Sequence, residues 1–150
     1  MSTQEFFEAA TGGDVARVRT MLQQDPSLAR AKDDTGVSVI MKATYHGKKD
    51  VVAALLETGV ELDVFEAAAT GQTLRLLNLI SKNPALATGH SPDGFTPLGF
   101  AVFFGQIETV KALLDANVDV NVPSRESMKV TPLASAAAAK QTEIARLLIA

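Results

Sequence analysis

Cysteine is absent from the 150-residue chain. That excludes disulfides, thiolate catalysis and zinc sites built on cysteine. Tryptophan is also absent and tyrosine occurs once, yet 47% of the residues are apolar. The core must therefore be built mainly of Ala, Leu, Val and Ile, which suits closely packed helices. No stretch approaches the ~18 uninterrupted apolar residues of a membrane span. The start, Met1-Ser2-Thr3-Gln4-Glu5-Phe6-Phe7-Glu8, has no basic region and no long apolar run, so it does not read as a secretory signal. No membrane association and a cytoplasmic location are expected. Basic runs are lacking too: the longest is Lys48-Lys49, followed at once by Asp50, and the formal net charge is -3. Binding to duplex nucleic acid, which needs a basic stripe to displace counterions, is not expected.

What the chain does have is internal repetition. Gly94-Phe95-Thr96-Pro97-Leu98 recurs as Lys129-Val130-Thr131-Pro132-Leu133, an offset of 35 residues (129 minus 94). An earlier version is Gly36-Val37-Ser38-Val39-Ile40. Each is followed by an amphipathic run, namely 50–56, 108–114 and 143–148. Two further copies lack the Thr-Pro-Leu start: Phe7-Glu8-Ala9-Ala10 and Phe65-Glu66-Ala67-Ala68. These two also share Asp25-Pro26-Ser27-Leu28-Ala29 and Asn83-Pro84-Ala85-Leu86-Ala87. Five copies result, at about 1–33, 34–61, 62–91, 92–126 and 127–150, within one domain covering 1–150.

The physical logic of one copy is legible. Thr96 is placed to cap a helix, its hydroxyl accepting from a first-turn N–H. Pro97 stands at the first helical position, where a missing N–H costs nothing. Gly105 ends the helix. Ile107, Val110, Leu113 and Leu114 mark the apolar face of a second helix. Neither short helix is stable alone; stacking pairs buries their faces against neighbouring copies.

These residues resemble the ankyrin repeat. Gly94-Phe95-Thr96-Pro97-Leu98 matches the family's Gly-x-Thr-Pro-Leu start, and Ala101, Gly105 and Leu113-Leu114 match its later positions. The resemblance implies an all-α solenoid of about five helix-turn-helix repeats joined by short β-hairpin-like loops. There are departures. Gly47 to Gly71 is 24 residues (71 minus 47), against 34 (105 minus 71) for Gly71 to Gly105. About ten residues of connecting hairpin are therefore missing, and the third copy should enter its first helix directly at Asp63. The histidine usual after Leu is replaced by Met41, Gly99 and Ala134, so irregular stacking is expected.

Chemistry is hard to find. No glycine pair is followed by Gly-Lys-Ser/Thr, and no two histidines sit four apart, so no nucleotide, cofactor or metal site is expected. Gly12-Gly13 reads as a helix end. His46 falls at the end of a predicted helix, where an imidazole suits the macrodipole. Ser91, His90 and Asp93 lie in a short turn without the supporting third group a nucleophile needs. Asp33-Asp34 reads as a solvated turn. The chain is not expected to be an enzyme.

Binding of a partner protein, its identity unspecified, is what the resemblance implies, through a concave surface of hairpin tips and exposed first-helix ends. By position the tips are Asp34, Thr35 and Val37; Pro92, Asp93 and Phe95; and Ser127, Met128 and Val130. The helix ends are Tyr45 and His46, Ala69 and Thr70, Phe103 and Phe104, and Ala138 and Ala139. Tyr45, Phe95, Phe103 and Phe104 are four of the eight Phe and Tyr residues, and such side chains dominate interface energies. Phe95, beside a turn glycine, is expected to be the most exposed; Phe103 or Phe104 has an alternative place inside the stack. A second reading is self-association as a homodimer through the C-terminal helices, where Ile144, Leu147, Leu148 and Ile149 lack a polar cap. That reading expects Leu148→Glu to disrupt oligomers.

Overall fold

The structure, a computed structural model, describes residues 3–91 and 95–116 and, further on, Arg146 and Ile149. Among the described residues are the α-helices α1 (Thr3–Thr11), α2 (Val15–Gln24), α3 (Val39–Tyr45), α4 (Lys49–Leu56), α5 (Val64–Thr70), α6 (Thr73–Lys82), α7 (Pro97–Phe103) and α8 (Ile107–Asp115). In chain order they fall into four successive pairs.

The starts of α2, α3, α5 and α7 follow side-chain chemistry, whereas α4, α6 and α8 open without a side-chain cap. Asp14 accepts from the Arg17 N–H at 3.2 Å to open α2. Ser38, standing where Thr is usual, caps α3 through the Met41 N–H at 3.3 Å. Thr96 caps α7 through the Gly99 N–H at 3.0 Å, with Pro97 at the first position. The third copy does begin at Asp63. Its carboxylate accepts from the Glu66 N–H at 2.8 Å, while the Glu66 carboxylate accepts from the Asp63 N–H at 2.9 Å. This reciprocal box replaces the missing hairpin as the device that starts α5. Gly71, at φ 76°, then turns the chain out of α5 in a left-handed conformation closed to most side chains. The two shared Pro-containing segments become short 3₁₀ turns, Pro26–Arg30 and Pro84–Ala87.

The chain divides into two compact units, 1–61 and 62–150. In the first, α1 packs on α2 and α3, and α4 packs on α2 and α3. Phe6, Val18, Val39, Ile40, Val51 and Leu55 fill its interior. Before α3 the chain makes a tight turn, closed by an antiparallel bridge between Lys32 and Ser38.

In the second unit, α5 packs on α6 and α7, and α8 packs on α6 and α7. Leu76, Leu98, Phe100, Val102 and Leu113 are fully buried there. Neighbouring copies are also tied by polar bonds. The Gln106 amide donates to the Ala69 carbonyl at 2.9 Å, and the Thr73 and Thr109 hydroxyls meet at 2.8 Å. None of the helices reaches the ~12 residues at which an isolated helix becomes even marginal, so packing between pairs holds each one.

Candidate binding surfaces

In the first unit, an open groove of about 740 Å³ lies between α1, the turn before α3, and α3 itself. Asp33 organises its rim. This carboxylate accepts from the Thr35 N–H at 2.9 Å, the Thr35 hydroxyl at 2.7 Å and the Val37 N–H at 3.0 Å. Its other oxygen is 3.0 Å from the Lys42 ammonium on α3. The Thr35 hydroxyl, then Lys42 and the two backbone amides, hold the Asp33 carboxyl well below the usual carboxylate range against the opposing effect of burial. The turn that presents Asp34 and Thr35 is thereby fixed to the helix behind it. Both residues are exposed, and Val37 is half-buried.

His46 ends α3. Its Nδ1 lies 2.8 Å from the Lys42 carbonyl. A carbonyl only accepts, so Nδ1 carries the hydrogen and Nε2 is left facing away from this bond. His46 lines the groove together with Asp34 and Thr35. Tyr45, 38% exposed, is outside that lining.

In the second unit the aromatic residues gather around Phe100, which is 2% exposed. Its ring centroid is 5.4 Å from Phe95, 6.2 Å from Phe65 and 6.3 Å from Phe104, the last nearly parallel at 14°. Phe103 meets Phe104 edge-on at 5.0 Å and is 51% exposed. The expectation that Phe95 would be the most exposed aromatic is therefore corrected. Phe95 is half-buried, because its backbone is pinned and its ring leans on Phe100. The Phe95 N–H donates to the Ser91 hydroxyl at 3.2 Å, and its carbonyl accepts from the Ser91 N–H at 2.9 Å. Ser91 thus does just before the fourth copy what Asp33 does just before the second. Of Phe103 and Phe104, the former stands out and the latter is half-buried. Ala69, mapped as an exposed helix end, is fully buried; α7 approaches closely enough for Gln106 to bond its carbonyl.

The expected contacts thus separate. Asp34, Thr35 and His46 share the groove of the first unit, while Phe95, Phe103 and Phe104 share the aromatic cluster of the second. Asp93, Met128 and Val130 lie outside the described residues, as do Pro92, Ser127, Ala138 and Ala139. The same holds for Ile144, Leu147 and Leu148 at the C-terminal surface, where Ile149 is described and is exposed. Sequence reasoning missed the α1 side of the groove, formed by Phe7, Glu8 and Thr11. The signal was there: counting five back from Gly13 and from Gly47 aligns Glu8 with Lys42.

Among the described residues no cluster of three or more His, Asp or Glu could hold a metal ion. No described helix is long and apolar enough to cross a membrane. Helix pairs packed one on the next within each unit define a helical repeat protein. A family model described as ankyrin repeats, three copies, matches residues 64–150. The chain belongs to the ankyrin repeat family, whose members are generally protein–protein interaction modules and generally not enzymes.

Similar proteins carry widely different names. The human DNA-binding protein RFXANK is 29% identical over 136 residues, covering 85% of this chain and 52% of that protein. The probable E3 ubiquitin-protein ligase XBOS31 of Oryza sativa subsp. japonica is 41% identical over 90 residues, 59% of this chain and 20% of that one. The Arabidopsis thaliana serine/threonine-protein kinase VIK is 29% identical over 140 residues, 93% and 26% respectively. The chain spans about half the length of the first of these and less of the others.

Proposed function

We propose that this chain is a protein-binding module that engages a partner protein through two surfaces. One is the groove of the first unit, rimmed by Asp34, Thr35 and His46; the other is the aromatic ridge of the second, led by Phe103. The five-copy division and its single binding domain belong to this reading. The observation that carries it is Phe103. A large apolar side chain, 51% exposed, rests edge-on against Phe104, which stacks on the buried Phe100. A side chain so supported gives up little conformational freedom on contact, and aromatic anchors of this kind are typical interface hot spots.

The name of the human relative raises binding to DNA. A net charge of -3 with scattered Lys and Arg offers no stripe to displace phosphate counterions, so a protein partner is the better fit.

The test is capture of partners from the source cell by the wild-type chain and by Phe103→Asp. Truncating a hot spot costs roughly 2 kcal/mol or more, so retention should fall by at least about tenfold. Helical circular dichroism of both chains checks that the variant keeps its fold. Retention by Phe103→Asp equal to that of the wild-type chain would defeat the proposal.

A further inference from the structure

We infer that the groove of the first unit selects a cationic side chain, an arginine above all, on an extended segment of the partner protein. The inference rests on the protein-binding reading above and supplies the chemistry of the partner.

The groove's internal charges are already matched in part. Lys42 is paired with Asp33 at 3.0 Å, and Asp33 is saturated by Thr35, Val37 and Lys42. What remains towards solvent is led by acceptors, the carboxylates of Glu8 and Asp34, both exposed. Glu8 has only a long contact of 3.4 Å with the Gln4 amide on its own helix. The opposing cation is Lys32, also exposed. Once the Asp33–Lys42 pair is set aside, two carboxylates face one ammonium. An anionic ligand would meet net repulsion there.

Phe7 decides between kinds of cation. It is half-buried and lines the groove next to Glu8. An aromatic ring beside carboxylates suits a guanidinium, which stacks on π-faces and donates its planar fork of N–H groups to carboxylate oxygens. An ammonium has the charge but neither the plane nor the fork. The acidic chain as a whole, at -3, favours approach of basic segments over acidic ones.

The experiment uses the full chain, labelled with ¹⁵N and titrated with acetyl-Ala-Arg-Ala-amide in NMR. Matched peptides carry citrulline, lysine or glutamate in the centre. The arginine peptide should shift the amides of Phe7, Glu8, Asp34, Thr35 and His46. The neutral citrulline isostere should bind about tenfold more weakly, the scale of one charge-assisted contact, and salt should weaken the arginine peptide but not the citrulline one. Glu8→Gln with Asp34→Asn should reduce arginine binding to the citrulline level, and Lys32→Gln should strengthen it. Because Lys32→Gln changes only an exposed side chain, it reads the charge preference even if the double variant folds poorly. Equal binding of arginine and citrulline, preference for glutamate, or no shift at these amides with any peptide overturns the inference. The module reading is judged separately by the Phe103→Asp capture, whose outcome does not depend on this groove.

Discussion

Asp33 shows how a residue that reads as solvated can be structural. Two adjacent acids in a turn suggest exposure, and Asp34 conforms to that. Asp33 instead receives three hydrogen bonds and an ion pair. The distinction is invisible in a one-dimensional string, because it depends on which side of the turn faces α3. Asp33→Ala should cost about 1–2 kcal/mol in urea unfolding, for a lost turn anchor and an abandoned Lys42. The pH dependence has a definite sign. The native carboxyl titrates below its unfolded value, so its contribution is complete above the ordinary carboxylate range and is lost as pH falls through that range towards the native value. The stability gap between wild type and Asp33→Ala should therefore narrow from about pH 6 to about pH 3. A gap constant across that window would exclude the anchor role.

Elements were more legible than contacts. Thr96-Pro97 announced α7, and the shortened spacing between Gly47 and Gly71 announced a helix starting at Asp63, since caps are local and depend on neighbours in sequence. The exposure of Phe95 and Ala69 was misjudged because it depends on α7, whose approach to α5 the repeat pattern does not encode. Turn glycines illustrate the same boundary. Gly47 and Gly71 occupy equivalent positions and both have positive φ, 68° and 76°. A Cβ on Gly47 would meet nothing within 4 Å, whereas one on Gly71 would lie 2.6 Å from the Gln106 amide oxygen. Gly47→Ala should cost only the left-handed strain, roughly 1 kcal/mol. Gly71→Ala should cost about 1 kcal/mol more, because Gln106 must move and release the Ala69 carbonyl. Chemical denaturation of both variants checks this. In the background Gln106→Ala the excess should vanish, and an excess that persists there would assign it to some other contact.

At the scale of the whole molecule, the division at residue 61 has a thermodynamic consequence. Repeat arrays gain cooperativity from the interfaces between successive copies. Two compact units, each with its own packed helix pairs, need not unfold together. Tyr45 is the sole tyrosine and there is no tryptophan, so intrinsic fluorescence reports the first unit alone, while far-ultraviolet circular dichroism reports every helix. The two urea transitions should not coincide. Superimposable curves would show a single cooperative block.

The small helix α5 sets a further limit. Ala67, Ala68 and Ala69 are consecutive and all fully buried, with Val64 nearly so. Three successive positions sweep more than half of a helix's circumference, so α5 has little outward face on which sequence can drift. Sequence change is better accommodated elsewhere, at exposed turns and helix ends. A plain run of alanine thus has little room for change although its composition gives no warning of it.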